Sequence, residues 1–343
     1  MEVITENGKD YLLTYVAKID NHTLDAQALF VDLKDALDQI VEKTNRKNGT
    51  RLAYLKDGYG SNLQSLWNRF SGDFFSPSFL KSYMTNPALN LMQQFFATGV
   101  NDANAIGDTF HKIMEAYYML PKEDRNRFKL FDFAKQYTPE GQDIDKVMEY
   151  LEGYSTIKDY LHPRSELDDT KLECKTEHRG RANNLYVKSI KYVLPCALSY
   201  VVDRIDYRDK EVVLLDYKTG KHHDDSETFD GYLGSMILYK WAMEQELNTE
   251  ITRGYLIFPG EKKKYYPLDY SIEAEEKMAE IVTKFYQNFM RDNRFREYHY
   301  TDLGYFTSEE AQAFQEVMND NLIWRAKLPR KIYIGEHDES VWK

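Results

Sequence analysis

Two short apolar runs, 197–207 and 211–218, carry charged groups where a packed core has no use for them. Asp203 lies in the first, and Asp216 and Lys218 in the second. Alternate residues of a strand share a face. Asp216 and Lys218 therefore point the same way, with Val212 and Leu214 behind them, and Asp203 shares a face with Val201 and Ile205. The turn-like segment YRDKE between the runs makes them an antiparallel hairpin and brings the two aspartates near each other. A carboxylate on an apolar face costs on the order of several kcal/mol unless it is paired or binds a metal. Two adjacent carboxylates also repel, and a divalent cation between them removes the repulsion. Carboxylate-rich oxygen sites favour Mg²⁺ or Mn²⁺. Lys218 would then sit beside the ion, placed to orient or help deprotonate a water, or to stabilise negative charge on a phosphorane. The structural alternative is a solvated Asp216–Lys218 pair at a strand end, with Asp203 satisfied by Arg204 or Lys210. The local pattern leaves both open.

The elements that must position these groups change character along the chain of 343 residues, which suffices for one large domain or two modest ones. The first half reads as helices. Residues 23–43 repeat Leu29, Leu33, Leu37 and Ile40 behind Thr23 as N-cap. Shorter helices are expected in 61–70 and 76–96, the latter interrupted near Pro87. Further helices are expected in 102–120, 122–137 and 143–161. From about residue 171 short runs rich in Val, Ile, Leu and Tyr predict strands at 171–177, 185–193, 197–207 and 211–218. A helix at 230–247, a strand within 251–260, a long helix over 271–293 and a last helix over 308–327 complete the pattern. This order gives one α/β domain with a helical region before and around it.

Four segments, in order along the chain, resemble the PD-(D/E)XK nuclease superfamily, in particular its RecB/AddB-like exonuclease branch, which includes the CRISPR-associated adaptation nucleases. They are SPSFLKSYMTNPALNLMQQFF (76–96), GDTFHKIME (107–115), the DRID…VVLLDYKTGK hairpin (203–221) and GSMILYKW (234–241). The resemblance implies a restriction-endonuclease-like core, a mixed central sheet flanked by helices, with an N-terminal helical region. Residues 1–75 would be that region, 76–295 the nuclease core with a helical insertion, and 296–343 a helical tail. It implies metal-binding roles for Asp203 and Asp216, with the Tyr217 carbonyl also reaching the ion, and a catalytic role for Lys218. Gly107, His111 and Glu115 recur at four-residue spacing and share a helical face. By resemblance His111 is a nitrogen ligand and Glu115 a member of the catalytic set; the bland alternative is a surface or core His paired with Glu115. Three positions depart from the family pattern. Asn86 stands where an iron–sulfur cysteine would be, Tyr200 where relatives carry Gly, and Ser235 where they carry the Gln of a Gln-x-x-x-Tyr helix that keeps Tyr239. Ser235 and Tyr239 are the expected DNA-facing pair of that helix. With two cysteines in the chain, Cys174 and Cys196, no iron–sulfur cluster is expected.

The formal charge of −11 excludes a global positive field, so any DNA contact must use local patches. Lys175, His178, Arg179 and Arg181, in a stretch (174–184) read as a loop, are candidates. Lys262, Lys263 and Lys264 beside Tyr265 and Tyr266, and Arg325, Lys327, Arg330 and Lys331, are others. Basic residues interleaved with aromatics suit a groove that tracks a nucleic-acid backbone; a solvated face is the plainer reading of each. KHHDD (221–225) is likewise a metal cluster or, more plainly, a solvated loop. No phosphate-loop motif G-x₄-GK[ST] is present, so a helicase, like a recombinase or single-strand-binding protein, would be a separate partner. No signal-peptide core or membrane-length apolar run is present, and a cytoplasmic protein with no membrane partner is expected. The function expected is a Mg²⁺- or Mn²⁺-dependent DNA exonuclease of recombination or repair, plausible in a phage. The alternatives are a nuclease-fold protein that binds nucleic acid or a partner without cutting, and a single-strand or structure-specific endonuclease.

Overall fold

A computed structural model of the protein describes residues 2–6, 9–18, 54–55, 74–85, 90, 96–97, 102–161, 173–208, 211–220, 226–263, 265–287 and 326–333. The strands are β1 (Glu2–Glu6), β2 (Lys9–Lys18), β3 (Tyr54–Leu55), β4 (Phe74–Phe75), β5 (Phe96–Ala97), β6 (Glu173–Ala182), β7 (Tyr186–Val187), β8 (Tyr192–Val193), β9 (Ala197–Arg208), β10 (Glu211–Tyr217), β11 (Arg253–Ile257), β12 (Tyr265–Pro267) and β13 (Ala326–Tyr333). The helices are α1 (Pro77–Thr85), α2 (Asp102–Met119), α3 (Arg127–Tyr137), α4 (Ile144–Leu161), α5 (Ser226–Leu247) and α6 (Ile272–Phe285). The helices expected over 23–43 and 61–70 and the interruption at Pro87 lie outside the described residues. Among the described residues no helix is long and apolar enough to cross a membrane.

The chain divides into two compact units, 1–99 with 183–198 and 277–343, and 100–182 with 199–276. In the first unit β1, β2 and β13 form an antiparallel sheet in the order β1-β2-β13. This corrects the helical reading of the two terminal segments at those residues. The signal was present: Asn7-Gly8 separates two runs rich in β-branched and aromatic residues, the composition of a hairpin. In the same unit, α1 starts with Ser76 accepting the Phe79 N–H at 3.3 Å and Pro77 at its first helical position. Its Phe79 and Tyr83 pack on Phe285, as does Phe75 of β4, with ring centroids 5.2–6.2 Å apart. The single strand expected at 185–193 is a small hairpin, β7 with β8, because the chain turns at 188–191 with Lys191 left-handed at φ 51°.

The second unit holds the charged strands. Its sheet runs β12-β11-β10-β9, with β6 on the far side of β9. β9 and β10 are the expected antiparallel hairpin, pairing Leu215 with Arg204 and Glu211 with Arg208. β10 and β11 are parallel, joined by the crossover helix α5, so the sheet is mixed. β10 is buried from Val212 to Tyr217, the pattern of a central strand covered on both faces. One face meets α2, α3 and α4. On α2 the buried residues Phe110, Ile113, Met114, Tyr117 and Tyr118 recur at helical spacing and close on Val213, Leu215 and Tyr217. Asn126 caps α3 by accepting the Lys129 N–H at 3.1 Å, and Asp143 caps α4 by accepting the Lys146 N–H at 3.0 Å. α5 packs against β10 and β6. Its buried Lys240 is matched by Glu244 at 2.9 Å and Glu275 at 2.8 Å.

Within the helical face lies a buried ion pair. Arg204 and Asp206 share one side of β9 and are essentially solvent-free. The guanidinium bonds both Asp206 oxygens, at 2.5 and 3.0 Å, and lies 3.7 Å over the Tyr118 ring. It also donates to the Tyr154 hydroxyl at 2.6 Å and the Tyr217 hydroxyl at 3.4 Å. A buried charge that loses its partner costs about 3–5 kcal/mol, whereas replacing both partners by apolar groups is often neutral. Asp206→Leu is therefore expected to lower unfolding free energy in urea by about that amount, and Arg204→Met/Asp206→Leu to recover most of it.

Candidate metal and active site

The functional groups gather at the C-terminal end of β10. Gly107 of α2 explains how closely the next segment approaches: a Cβ there would lie 2.8 Å from the Thr219 hydroxyl oxygen. One turn further along α2, His111 places Nε2 3.2 Å from the Tyr217 carbonyl oxygen. With Nε2–H donating to that carbonyl, Nδ1 is the nitrogen that faces two carboxylates: protonated it donates toward them, and once deprotonated its lone pair is directed where a cation would sit. Nδ1 is 3.6 Å from Asp203 Oδ2 and 3.8 Å from Glu177 Oε1. One donor atom from each of His111, Glu177 and Asp203 lies within 4.8 Å of the others, a spacing that could hold a metal ion. Asp203 Oδ2 also accepts the Tyr217 N–H at 2.8 Å. Tyr217 thus offers both its backbone polar groups to the site.

Glu177 was not among the residues singled out from sequence. The stretch 174–184, read as a loop with basic residues, is instead mostly strand β6, because its residues pair beside β9. Strict alternation along that strand would place Glu177 with Lys175, Arg179 and Arg181, which are exposed. Glu177 is left-handed, φ 47°, and this kink turns its carboxylate inward toward His111. A non-glycine residue in that region costs roughly 1–2 kcal/mol and points to a functional constraint. One glutamate in a basic run carries no sequence signal for such a kink.

Asp216 and Lys218 do share a face. The register that pairs Leu215 with Arg204 puts Asp216 and Asp203 next in line across the two strands. Asp216 is buried, and its Oδ2 forms an ion pair with Lys218 Nζ. Lys218 also lies 5.1 Å from the Tyr232 ring centre. Arg204 turns to the opposite face, toward Asp206, so Asp203 is not satisfied by that neighbour.

Burial and the Asp216 charge push the Asp203 carboxyl up to about 7, against His111, Lys218 and the Tyr217 N–H, which favour its ionised form. For His111, burial disfavours the imidazolium, but the Glu177 hydrogen bond and the Asp203 charge outweigh it and its pKa is raised. Burial likewise opposes the Lys218 ammonium, and Asp216 and Asp203 more than reverse that, so Lys218 is held protonated. Burial, then Asp216, Asp203 and Glu177, raises the half-buried Tyr239 phenol, which shares the field of this carboxylate cluster. An imidazole nitrogen and carboxylate oxygens within reach of one another are donors that could hold a divalent ion.

The other sequence candidates are more dispersed. Glu115 lies one turn beyond His111 on α2 and is not part of the His111–Glu177–Asp203 group. Ser235 donates to the Gly231 carbonyl of its own helix at 3.1 Å. His178 is paired with Glu246 at 2.9 Å, and the same carboxylate accepts the Tyr200 hydroxyl at 2.5 Å. Lys175 lies 5.7 Å from the Tyr207 ring, Arg179 is 3.7 Å from Glu177, and Arg181 is exposed. KHHDD, Lys264 and Arg325 lie outside the described residues; Lys327, Arg330 and Lys331 fall in β13.

A family model described as the PD-(D/E)XK nuclease superfamily matches residues 75–318, most of the chain. No curated protein matches it.

The raised Asp203 and His111 values carry a sign. Each makes the folded state bind more protons than the unfolded chain, Asp203 between its ordinary carboxylate range and about 7, His111 from about pH 6.5 upward. Stability present at acidic pH is therefore lost as pH rises through the folded values. The metal-free protein is expected to melt at progressively lower temperature from pH 5 to 8. Added Mn²⁺ should restore melting most at pH 8, because binding requires the ionised carboxylate and neutral imidazole. A melting temperature flat in pH and indifferent to Mn²⁺ would contradict this.

Proposed function

This chain belongs to the PD-(D/E)XK nuclease superfamily, and we propose that within it the protein is a Mg²⁺- or Mn²⁺-dependent DNA exonuclease. Membership makes it a nuclease, a hydrolase of phosphodiester bonds. The observation that carries the finer reading is the convergence of His111, Glu177 and Asp203 beside the Asp216–Lys218 pair at one strand end. The ordered resemblance to the RecB/AddB-like branch supports DNA ends as substrate and a setting in recombination or repair, with a phage recombination exonuclease as one such setting. In that reading the protein is cytoplasmic and works with a separate recombinase, single-strand-binding protein or helicase.

In the proposed mechanism His111, Glu177, Asp203, Asp216 and the Tyr217 carbonyl would hold one or two divalent ions. When bound, such an ion supplies positive charge that acidifies water and neutralises the scissile phosphate. The Tyr217 N–H fixes the Asp203 carboxylate, and the Tyr217 carbonyl fixes the His111 tautomer, so both donors are preset. Lys218, held as ammonium, orients the attacking water and stabilises charge on the phosphorane; its raised pKa disfavours a role as base. Water oxygen bonds to phosphorus and releases a proton to solvent as the phosphorus–oxygen bond to the leaving sugar breaks, and the leaving oxygen takes up a proton from solvent. Asp216 keeps Lys218 charged and positioned, and Tyr239 borders the same carboxylates.

The test is digestion of matched linear and closed-circular DNA, single- and double-stranded, with Mg²⁺, Mn²⁺ or EDTA. Linear DNA alone should be lost, only with metal. Asp216→Ala and Lys218→Ala should each reduce the rate by roughly 100-fold or more. Cutting of circles would move the assignment to an endonuclease with the same centre. DNA binding without cutting would favour a silent binding module.

A further inference from the structure

The turn between β11 and β12 joins the Lys218 region by two separate rows of contacts, and among its described residues Lys262 and Lys263 are exposed cations. The first row is aromatic. Lys263 Nζ lies 4.2 Å from the Tyr266 ring centre, and Tyr266 meets Phe258 edge-on at 5.5 Å. Phe258 meets Tyr232 edge-on at 6.2 Å, and Tyr232 backs Lys218 at 5.1 Å. The second row runs through α4. Gly260 lies so close to Tyr150 that a Cβ there would come within 2.5 Å of the ring, and the Tyr150 hydroxyl donates to the Thr219 carbonyl at 2.6 Å. Thr219 follows Lys218 directly. The turn is therefore braced against the segment that carries Lys218, and it closes on itself through Glu261 N–H donating to Phe258 O at 3.1 Å. Its one acid, Glu261, acts on the Tyr150 hydroxyl.

An ammonium over an aromatic face keeps N–H donors for another partner, and the ring limits the side-chain freedom lost when it binds. On a chain of net charge −11, a polyanion is repelled except where cations stand out, and adjacent exposed lysines on a turn packed through to the Lys218 segment are such a place. We propose that the β11–β12 turn is a phosphate-binding rest for a nucleic-acid strand. Lys262 and Lys263 engage backbone phosphates a short distance from the phosphate that meets Lys218. This rests on the nuclease reading above and adds to it the surface along which the strand lies. The contacts are to phosphates, so the rest is indifferent to base sequence.

The test measures binding of a labelled single-stranded oligonucleotide by fluorescence anisotropy, over a KCl series, with Ca²⁺ in place of the catalytic metal. Each neutralised phosphate contributes about 0.7 to the slope of log affinity against log salt on a single strand. Lys262→Gln/Lys263→Gln is expected to flatten that slope by about 1.4 and to weaken low-salt binding roughly tenfold or more. Lys262→Arg/Lys263→Arg should restore the slope. Lys129→Gln/Lys135→Gln, which removes the same charge from the exposed side of α3, should leave it near the wild-type value. A wild-type slope in the turn variant overturns the proposal, as does an equal loss in the α3 variant, which would mark a general field effect. If the wild-type protein binds but cuts nothing, the nuclease reading fails while the slope comparison still decides the role of the turn.

Discussion

The position of Tyr217 is the constraint on which the site depends. Its side chain is buried among Phe110, Tyr154 and His111 and reaches the Arg204 guanidinium with its hydroxyl. Its backbone N–H and carbonyl, meanwhile, hold Asp203 and His111. One residue therefore transmits the rigidity of the helical core to two donor atoms. A loop could not do this, because few packed neighbours would fix its backbone. The cost of burying Arg204 and Asp206 is intelligible in these terms. The pair fixes where Tyr217 sits, and with it the end of β10.

Each surrounding element answers to the same point. α2 brings His111 over the strand end, and Gly107 lets Thr219 come close enough for Lys218 to turn toward Asp216. β6 contributes Glu177 through a left-handed residue. α5 places Tyr232 behind Lys218 and Tyr239 within the field of the carboxylates. The result is a candidate site built from two helices and three strands, with its least tolerable feature, clustered carboxylates, at the centre.

The hairpin of β9 and β10 was legible because period-two alternation displays a charge on an apolar face directly, as at Asp203, Asp216 and Lys218. The helices α2 to α5 were legible for the same reason at helical period. His111 was reached through the resemblance of GDTFHKIME to the family's motif rather than through anything local. Glu177 was not legible: its contribution depends on a backbone dihedral that no side-chain pattern encodes, and a strand rich in Lys and Arg reads as solvated. The strands β1, β2 and β13 were missed for a different reason. β1 and β2 are a local hairpin whose Asn7-Gly8 signal was passed over, whereas β13 pairs with β2 from the far end of the chain, and such pairing leaves little local trace. Ser235 donates its hydroxyl to its own helix, a local bond that the resemblance gave no reason to expect.

The four residues Asp203, Arg204, Ile205 and Asp206 place two carboxylates on opposite faces of one strand and treat them oppositely. Asp206 has a permanent counter-ion in Arg204, with both oxygens bonded and no exposed surface, and its charge is closed to chemistry. Asp203 has only partial compensation. One oxygen takes the Tyr217 N–H, the imidazole stands 3.6 Å off, and Lys218 is engaged by Asp216. The same element therefore supplies a carboxylate that holds the fold and one that the fold leaves short of charge. A site that left both satisfied would be more stable without metal and would have no reason to bind one. The shortfall at Asp203 is what a divalent ion, and through it a phosphate, can make good.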